Sequence, residues 1–211
     1  MRLKHILPHI IHESQTAVYG RHIGNNINLI RDLIDLANKN DEEAGFLFID
    51  QEKAFDRVNH KVLYEVLQGF GFGKTFVNWI KLIYLGASTR VSVNGFLTEN
   101  IPLKSGVRQG CPLSALLYVM VIELLALQLR NNPNIVGFTI NGEKIVSSHY
   151  ADDAVIKITQ NRCFKEVYKD LLLYKEATGA KVNFNKTKGS WVGKWKYRTD
   201  DPFQQLFLEK K

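Results

Sequence analysis

Adjacent carboxylates Asp152-Asp153 sit between two β-prone stretches, Ile145-Val146-Ser147-Ser148-His149-Tyr150 and Ala154-Val155-Ile156-Lys157-Ile158. Two strands joined at that pair make a hairpin with its charges at the turn. Hard divalent cations take oxygen ligands, and a tight turn holds a carboxylate in a fixed direction. Taken alone, such a pair is ordinarily a solvated acidic turn. A third acid, Asp50, ends the apolar run Ala44-Gly45-Phe46-Leu47-Phe48-Ile49. A run without polar alternation reads as a strand buried on both faces, which would project Asp50 from the end of a sheet. The competing reading makes Asp50 the cap of a helical turn through Gln51-Glu52-Lys53-Ala54-Phe55. If the two strand ends are neighbours, their carboxylates can share a pair of magnesium ions and support in-line displacement at phosphorus.

A second motif suits anions. Lys104-Ser105-Gly106-Val107-Arg108-Gln109-Gly110-Cys111-Pro112-Leu113-Ser114 places a basic and an amide side chain between glycines, with Pro112 opening a helix. Glycines let the backbone approach a ligand, and helix-start N–H groups favour negative charge, although such loops are commonly mere punctuation. Net charge is +7 and the pI is about 9.3, a balance that favours an anionic partner such as nucleic acid. Beyond Lys181, five cations (Lys186, Lys188, Lys194, Lys196 and Arg198) interleave with Phe184, Trp191, Trp195 and Tyr197. That pattern suits phosphate neutralisation with base stacking, or equally a strand pair with solvated lysines.

The elements that must position these residues follow from periodicity. Ile27, Ile30, Leu33, Ile34 and Ala37 predict a helix from about residue 23 to 38. Asp56 or Asn59 caps a helix with Val58, Val62, Leu63, Val66 and Leu67 on one face, stopped by Gly69, Gly71 and Gly73. A further helix spans roughly residues 74–84. Thr89-Arg90-Val91-Ser92-Val93 alternates into an Asn94-Gly95 hairpin turn, and Val136 to Ile140 meets a second at Asn141-Gly142. The helix opened by Pro112 runs to about Arg130 and is apolar nearly all round, hence buried. Residues 165–178 predict an amphipathic helix ended by Gly179, and residues 181–186 alternate like a strand. The order predicts an α+β fold with helices packed on one face of a mainly antiparallel sheet. No apolar run reaches the roughly 18 residues of a membrane span, and the N-terminus is too interrupted for a signal peptide. Cys111 and Cys163 form neither a disulfide framework nor a zinc pattern, so a reduced, intracellular setting is expected. The dispersed Lys and Arg residues make no compact nuclear import signal and leave nuclear or cytoplasmic residence open.

Four ordered motifs carry a resemblance. Phe48-Ile49-Asp50-Gln51-Glu52-Lys53-Ala54-Phe55-Asp56-Arg57-Val58-Asn59-His60 is similar to the first catalytic motif of LINE-type (non-LTR retrotransposon) reverse transcriptases. Ser105 through Ser114 resembles their next palm motif, Tyr150-Ala151-Asp152-Asp153 their aromatic-X-Asp-Asp signature, and Thr178 through Thr187 the later motif with its lysine. Together, in this order, they are far more specific than any one. The resemblance runs from about Gln15 to Gly193. It implies a right-hand polymerase palm with fingers and thumb incomplete: 1–45 partial fingers, 46–193 palm, and 194–211 a tail or the start of the thumb connection.

The resemblance also implies roles. Asp50 and Asp152 would hold two Mg²⁺ (Mn²⁺ as substitute), with Asp153 completing the cluster and a backbone carbonyl of Ile49 or Gln51 contributing. Phe55 would pack under the incoming sugar and exclude a 2′-hydroxyl; its plain alternative is a core aromatic. Gln109, Gly110 and Tyr150 would line the nucleotide and template pocket, Arg108 would lie near phosphate, and Lys186 would position or protonate the pyrophosphate leaving group. Ser190-Trp191-Val192-Gly193 would begin the primer-gripping hairpin. The implied partners are an RNA template, a DNA primer and deoxynucleoside triphosphates, with no membrane. The family's basic fingers segment, thumb, endonuclease and zinc knuckle are not evident. Two rival classes follow: a truncated palm that only binds nucleic acid, and another two-metal palm enzyme such as a nucleotide cyclase, against which Phe55 and Arg108-Gln109 argue.

Overall fold

A computed structural model describes residues 2–200. In chain order the elements are α1 (Leu3–Ile10), α2 (Ile23–Lys39), β1 (Glu43–Ile49), α3 (His60–Gly69), α4 (Lys74–Tyr84), β2 (Ser88–Thr89), β3 (Ser92–Val93), β4 (Phe96–Leu97) and β5 (Ile101–Pro102). They continue with α5 (Pro112–Asn131), β6 (Phe138–Ile140), β7 (Glu143–Ile145), β8 (Ser147–Tyr150), β9 (Asp153–Ile158), α6 (Cys163–Thr178) and β10 (Lys188–Gly193). The main sheet is antiparallel throughout, in the order β10-β1-β9-β8. The predicted Asn94-Gly95 and Asn141-Gly142 turns close the β3–β4 and β6–β7 ribbons, with positive φ at all four residues.

The apolar run of β1 is central and buried on both faces, as its lack of alternation predicts. Leu47 and Ile49, with Ala154, Ile156 and Ile158 of β9, face the main core formed with α1, α3, α4, α5 and α6. Ala44 and Phe46 face the other way, against Leu33 and Ala37 of α2, Phe138 and Val192. Helices thus pack chiefly on one face, as expected. The additional feature is α2 on the second face, at the end of β1 away from Asp50. Helix α5 is the spine of the core: Leu117, Tyr118, Met120, Val121 and Leu125 are all at most 2% exposed. By length and composition α5 could cross a membrane, where the sequence reading found no such run. Its burial among its neighbours, and the Glu123–Arg130 ion pair on it, mark it as a core helix. Both cysteines are free, and Cys163 is buried.

One expectation near the C-terminus is corrected. Residues 181–186 are not a strand. Val182 makes one bridge to Gln51, and the chain then turns, with the Asn183 carbonyl accepting from Lys186 N–H, Thr187 N–H and Thr187 Oγ1. A side chain–backbone turn of this kind offers the chain an alternative to a ladder. The strand begins at Lys188, so Ser190 through Gly193 lie in the edge strand paired with β1. Two of the four aromatics, Trp191 and Trp195, are also turned inward, while Tyr197 stays exposed. Trp195 is buried and Trp191 half-buried against Phe164, with the Arg198 guanidinium over all three rings. Trp191 lies across β1 and β10 so closely that a Cβ at Gly45 or Gly189 would meet its ring at 2.5–2.6 Å. Of the C-terminal tail, 194–211, residues 201–211 lie outside the described residues.

Lys157 of β9 is fully buried on the second face, with Ser148 Oγ accepting from its ammonium. Burial pulls its pKa from 10.5 down to about 7. Between those values the unfolded chain holds a proton that the folded chain lacks, so folding stability rises with pH across that window. The slope reaches about 1.4 kcal/mol per pH unit. Lys157→Met is expected to remove this dependence and to stabilise the fold at neutral pH by roughly 2–4 kcal/mol, read by denaturant unfolding from pH 6 to 10. A flat wild-type profile across that range would refute it.

Candidate active site at the end of the central strands

The acidic hairpin forms where expected. Tyr150 pairs with Asp153, leaving Ala151 and Asp152 as the two turn residues between β8 and β9. Strand β1 runs antiparallel to β9 with Ile49 opposite Ala154. Continuing that register by one residue sets Asp50 opposite Asp153, and directly opposed side chains have Cβ atoms about 4.5–5.5 Å apart. Residues 103 positions apart in sequence therefore meet at one strand end. The electrostatics agree: the Asp153 carboxyl is pushed up by partial burial and then by the negative charges of Asp152 and Asp50. Asp50 and Asp152 are half-buried and Asp153 is exposed.

No helix starts at Gln51, so the capping reading of Asp50 fails. Its main chain is instead clamped by the turn that replaced the expected strand. Asn183 N–H donates to the Asp50 carbonyl at 2.8 Å, and Asp50 N–H donates to Thr187 Oγ1 at 3.3 Å. Lys186 lies exposed on this same turn, one residue from that contact. Next to Asp50, the buried Gln51 accepts from the Tyr118 hydroxyl at 3.2 Å, while its Nε2 has no partner among the described residues. Glu52 pairs with Arg57 and Lys181, and those cations hold its carboxyl below its ordinary value.

Phe55 sits in a 3-10 turn, Ala54–Arg57, half-buried with its ring stacked on Tyr118 at 4.6 Å and 18°. The glycine loop is stitched to this turn. Val107 N–H donates to Phe55 O and Gly106 N–H to Val58 O, both at 2.8 Å, while Ser105 Oγ donates to Asp56 O at 3.0 Å. Gln109 Nε2 reaches Asp56 Oδ1 at 3.2 Å. Gly106 is required here: its φ is +94° and a Cβ would lie 2.9 Å from Asp56 O. Of the two capping candidates, Asn59 starts α3, accepting from Lys61 and Val62 N–H groups. Arg108, Gln109 and Gly110 are exposed on the loop.

Two features escaped sequence reasoning. Phe48 is 41% exposed on the sheet face that also carries Asp50 and Asp153, joining the 42% exposed Tyr150 that the resemblance already named. Nothing in an unalternating apolar run distinguishes Phe48 from Phe46. Gln15, fully buried, bonds the backbone of Ala151 inside the acidic turn. Its signal lies in no local pattern, because its partner is 136 residues away.

Among the described residues no group of three or more His, Cys, Asp or Glu side chains is arranged to hold a metal ion. The donor set nonetheless fits Mg²⁺, which is usually held by one or two carboxylates together with substrate phosphates and water rather than by a full protein cage. The repulsion that raises the proton affinity of Asp153 is what a divalent cation relieves.

The family model described as reverse transcriptase (RNA-dependent DNA polymerase) matches residues 1–199. A Xenopus laevis protein described as the transposon TX1 uncharacterized 149 kDa protein is 37% identical over 197 residues, covering 93% of this chain and 15% of that protein. A Drosophila melanogaster retrovirus-related Pol polyprotein from the type-2 retrotransposable element R2DM is 31% identical over 139 residues, 65% of this chain and 13% of its own length. The chain thus spans about a seventh of these relatives. In fold it is similar to Candida tropicalis telomerase solved with a telomeric RNA fragment, with TM-score 0.63 and 16% identity over 90% of this chain and 32% of the telomerase. The apo telomerase of the same organism gives TM-score 0.61 at 17% identity over 90% and 34%. A match over nearly its whole length, together with retrotransposon relatives, places this chain in the reverse transcriptase (RNA-dependent DNA polymerase) family, among the non-LTR retrotransposon proteins.

Proposed function

We propose that this chain is the RNA-directed DNA polymerase domain of a non-LTR retrotransposon, adding deoxynucleotides to a primer 3′-hydroxyl along an RNA template. The observation that carries this reading is the convergence of Asp50, Asp152 and Asp153 at one strand end. Residues 46–193 act as the palm, 1–45 as partial fingers, and 194–211 as a tail or the start of the thumb connection. Asp50 and Asp152, with Asp153 beside them, hold the cations. When bound, two Mg²⁺, or Mn²⁺ in their place, supply charge stabilisation at the attacking and leaving oxygens. The protein's own part is positioning. Phe55, backed by Tyr118, fills the space of a 2′-hydroxyl. Gln109, Gly110 and Tyr150 border the nucleotide and template, Arg108 attracts phosphate, and Lys186 on the turn beside Asp50 positions or protonates the pyrophosphate.

The test is primer extension on an RNA template with Mg²⁺ or Mn²⁺. Templated addition that EDTA stops is expected. Template binding by folded protein without addition would favour the rival, a palm that only binds nucleic acid.

A further inference from the structure

Ala151 adopts φ +51°, a left-handed conformation that costs an alanine about 1 kcal/mol or more. It is the residue immediately before Asp152, so its backbone sets the direction in which that carboxylate leaves the turn. The conformation persists because something over-determines it. Gln15 Oε1 accepts from Ala151 N–H at 3.0 Å, and Gln15 Nε2 donates to Ala151 O at 3.3 Å, so one amide grips both ends of one residue. Ala17 N–H also donates to Gln15 Oε1 at 3.0 Å, which fixes which end of the amide is the acceptor.

The grip is itself anchored. His149 N–H donates to Ser14 O at 2.7 Å and Thr16 N–H to His149 O at 2.9 Å, laying residues 14–16 along the free edge of β8. The Arg21 guanidinium gathers the carbonyls of Pro8, Ile11, His12 and Gln15, all within 2.9 Å. Asn26 Nδ2 reaches Thr16 Oγ1 and His149 O, each at 2.9 Å. A chain of bonds therefore runs from the N-terminal segment to the acidic turn.

We infer that Gln15 is a positioning residue for metal binding: it holds the strained Ala151 backbone so that Asp152 faces Asp50. This rests on the proposed polymerase reading for its metal. Residues that orient a ligand without touching the ion typically matter 10- to 100-fold in affinity. Gln15→Met keeps the volume and removes the grip. Glycine adopts φ +51° without strain, so Ala151→Gly should compensate for the missing grip, an effect that general loosening of the fold would not produce.

The experiment titrates Mn²⁺ into the free protein, following bound and free ion by electron paramagnetic resonance, alongside thermal unfolding and single-nucleotide incorporation. Gln15→Met is expected to weaken Mn²⁺ binding about tenfold or more, and Gln15→Met/Ala151→Gly to recover most of that loss. Gln15→Asn, one methylene too short to span Ala151, should behave like Gln15→Met and carries the test if the latter does not fold. Unchanged Mn²⁺ affinity in a folded Gln15 variant, or no recovery by Ala151→Gly, would overturn the role of Gln15 and leave the polymerase reading intact. A wild-type protein that neither binds Mn²⁺ nor adds nucleotide would overturn both.

Discussion

Asp50→Asn and Asp152→Asn are each expected to cut nucleotide addition by about 10³-fold or more, with template affinity and fold retained. Asparagine keeps the size of the side chain and removes the charge that, on the proposed reading, would draw the cations to the strand end. Stability should not suffer, and it should rise slightly. Asp153 is pushed up in part by the charges of Asp152 and Asp50, so neutralising either relieves a repulsion present in the metal-free protein. This combination separates a catalytic carboxylate from a structural one, because loss of a structural carboxylate lowers the unfolding temperature together with activity. Single-nucleotide incorporation, anisotropy of a labelled template and thermal unfolding read the three quantities. A folded Asp152→Asn protein retaining more than about a tenth of wild-type incorporation would remove this residue from the chemistry.

The second large effect concerns sugar selection. Phe55→Ala is expected to lower the preference for deoxyribonucleotides over ribonucleotides by about 100-fold, mainly through a lower KM for the ribonucleotide. The ring excludes a hydroxyl only if it cannot swing aside, and two contacts hold the residue. It stacks on Tyr118, whose hydroxyl is tied to Gln51, and its carbonyl accepts from Val107 N–H. A plain core aromatic predicts something different: a stability loss of about 3–5 kcal/mol and equal falls for both nucleotides. Phe55 is only half-buried, less than a plain core aromatic, which favours the gate. The ratio of kcat/KM values for a matched deoxy and ribo pair decides it, and an unchanged ratio would return Phe55 to the core.

Much of this was legible because local rules and tertiary structure agreed. Asn94-Gly95 and Asn141-Gly142 turned where positive φ is cheap, Pro112 opened α5, Gly179 closed α6, and the unbroken apolar run before Asp50 became the strand buried on both faces. The two halves of the acidic site could be seen as strand ends, but their adjacency depends on the β1–β9 register, a long-range fact. The failures share a cause. Lys181-Val182-Asn183-Phe184-Asn185-Lys186 alternates like a strand, yet Asn183 and Thr187 offered the backbone a tighter turn, and that turn was recruited to hold Asp50. Trp191 and Trp195 fitted a stacking surface and a plain strand pair equally well, because composition cannot distinguish rings facing a core from rings facing a ligand. Gln15 was invisible for the same reason that it matters, since its partner is fixed only by folding.

The strand end bearing Asp50 and Asp152 is proposed to perform RNA-templated DNA synthesis. The most direct measurement supplies one deoxynucleotide at a time, with Mg²⁺, to folded protein on a DNA primer annealed to RNA. Extension by one residue with the complementary nucleotide alone, lost in Asp152→Asn, is the predicted result. Tight binding of the primer–template with no extension by any nucleotide would contradict it.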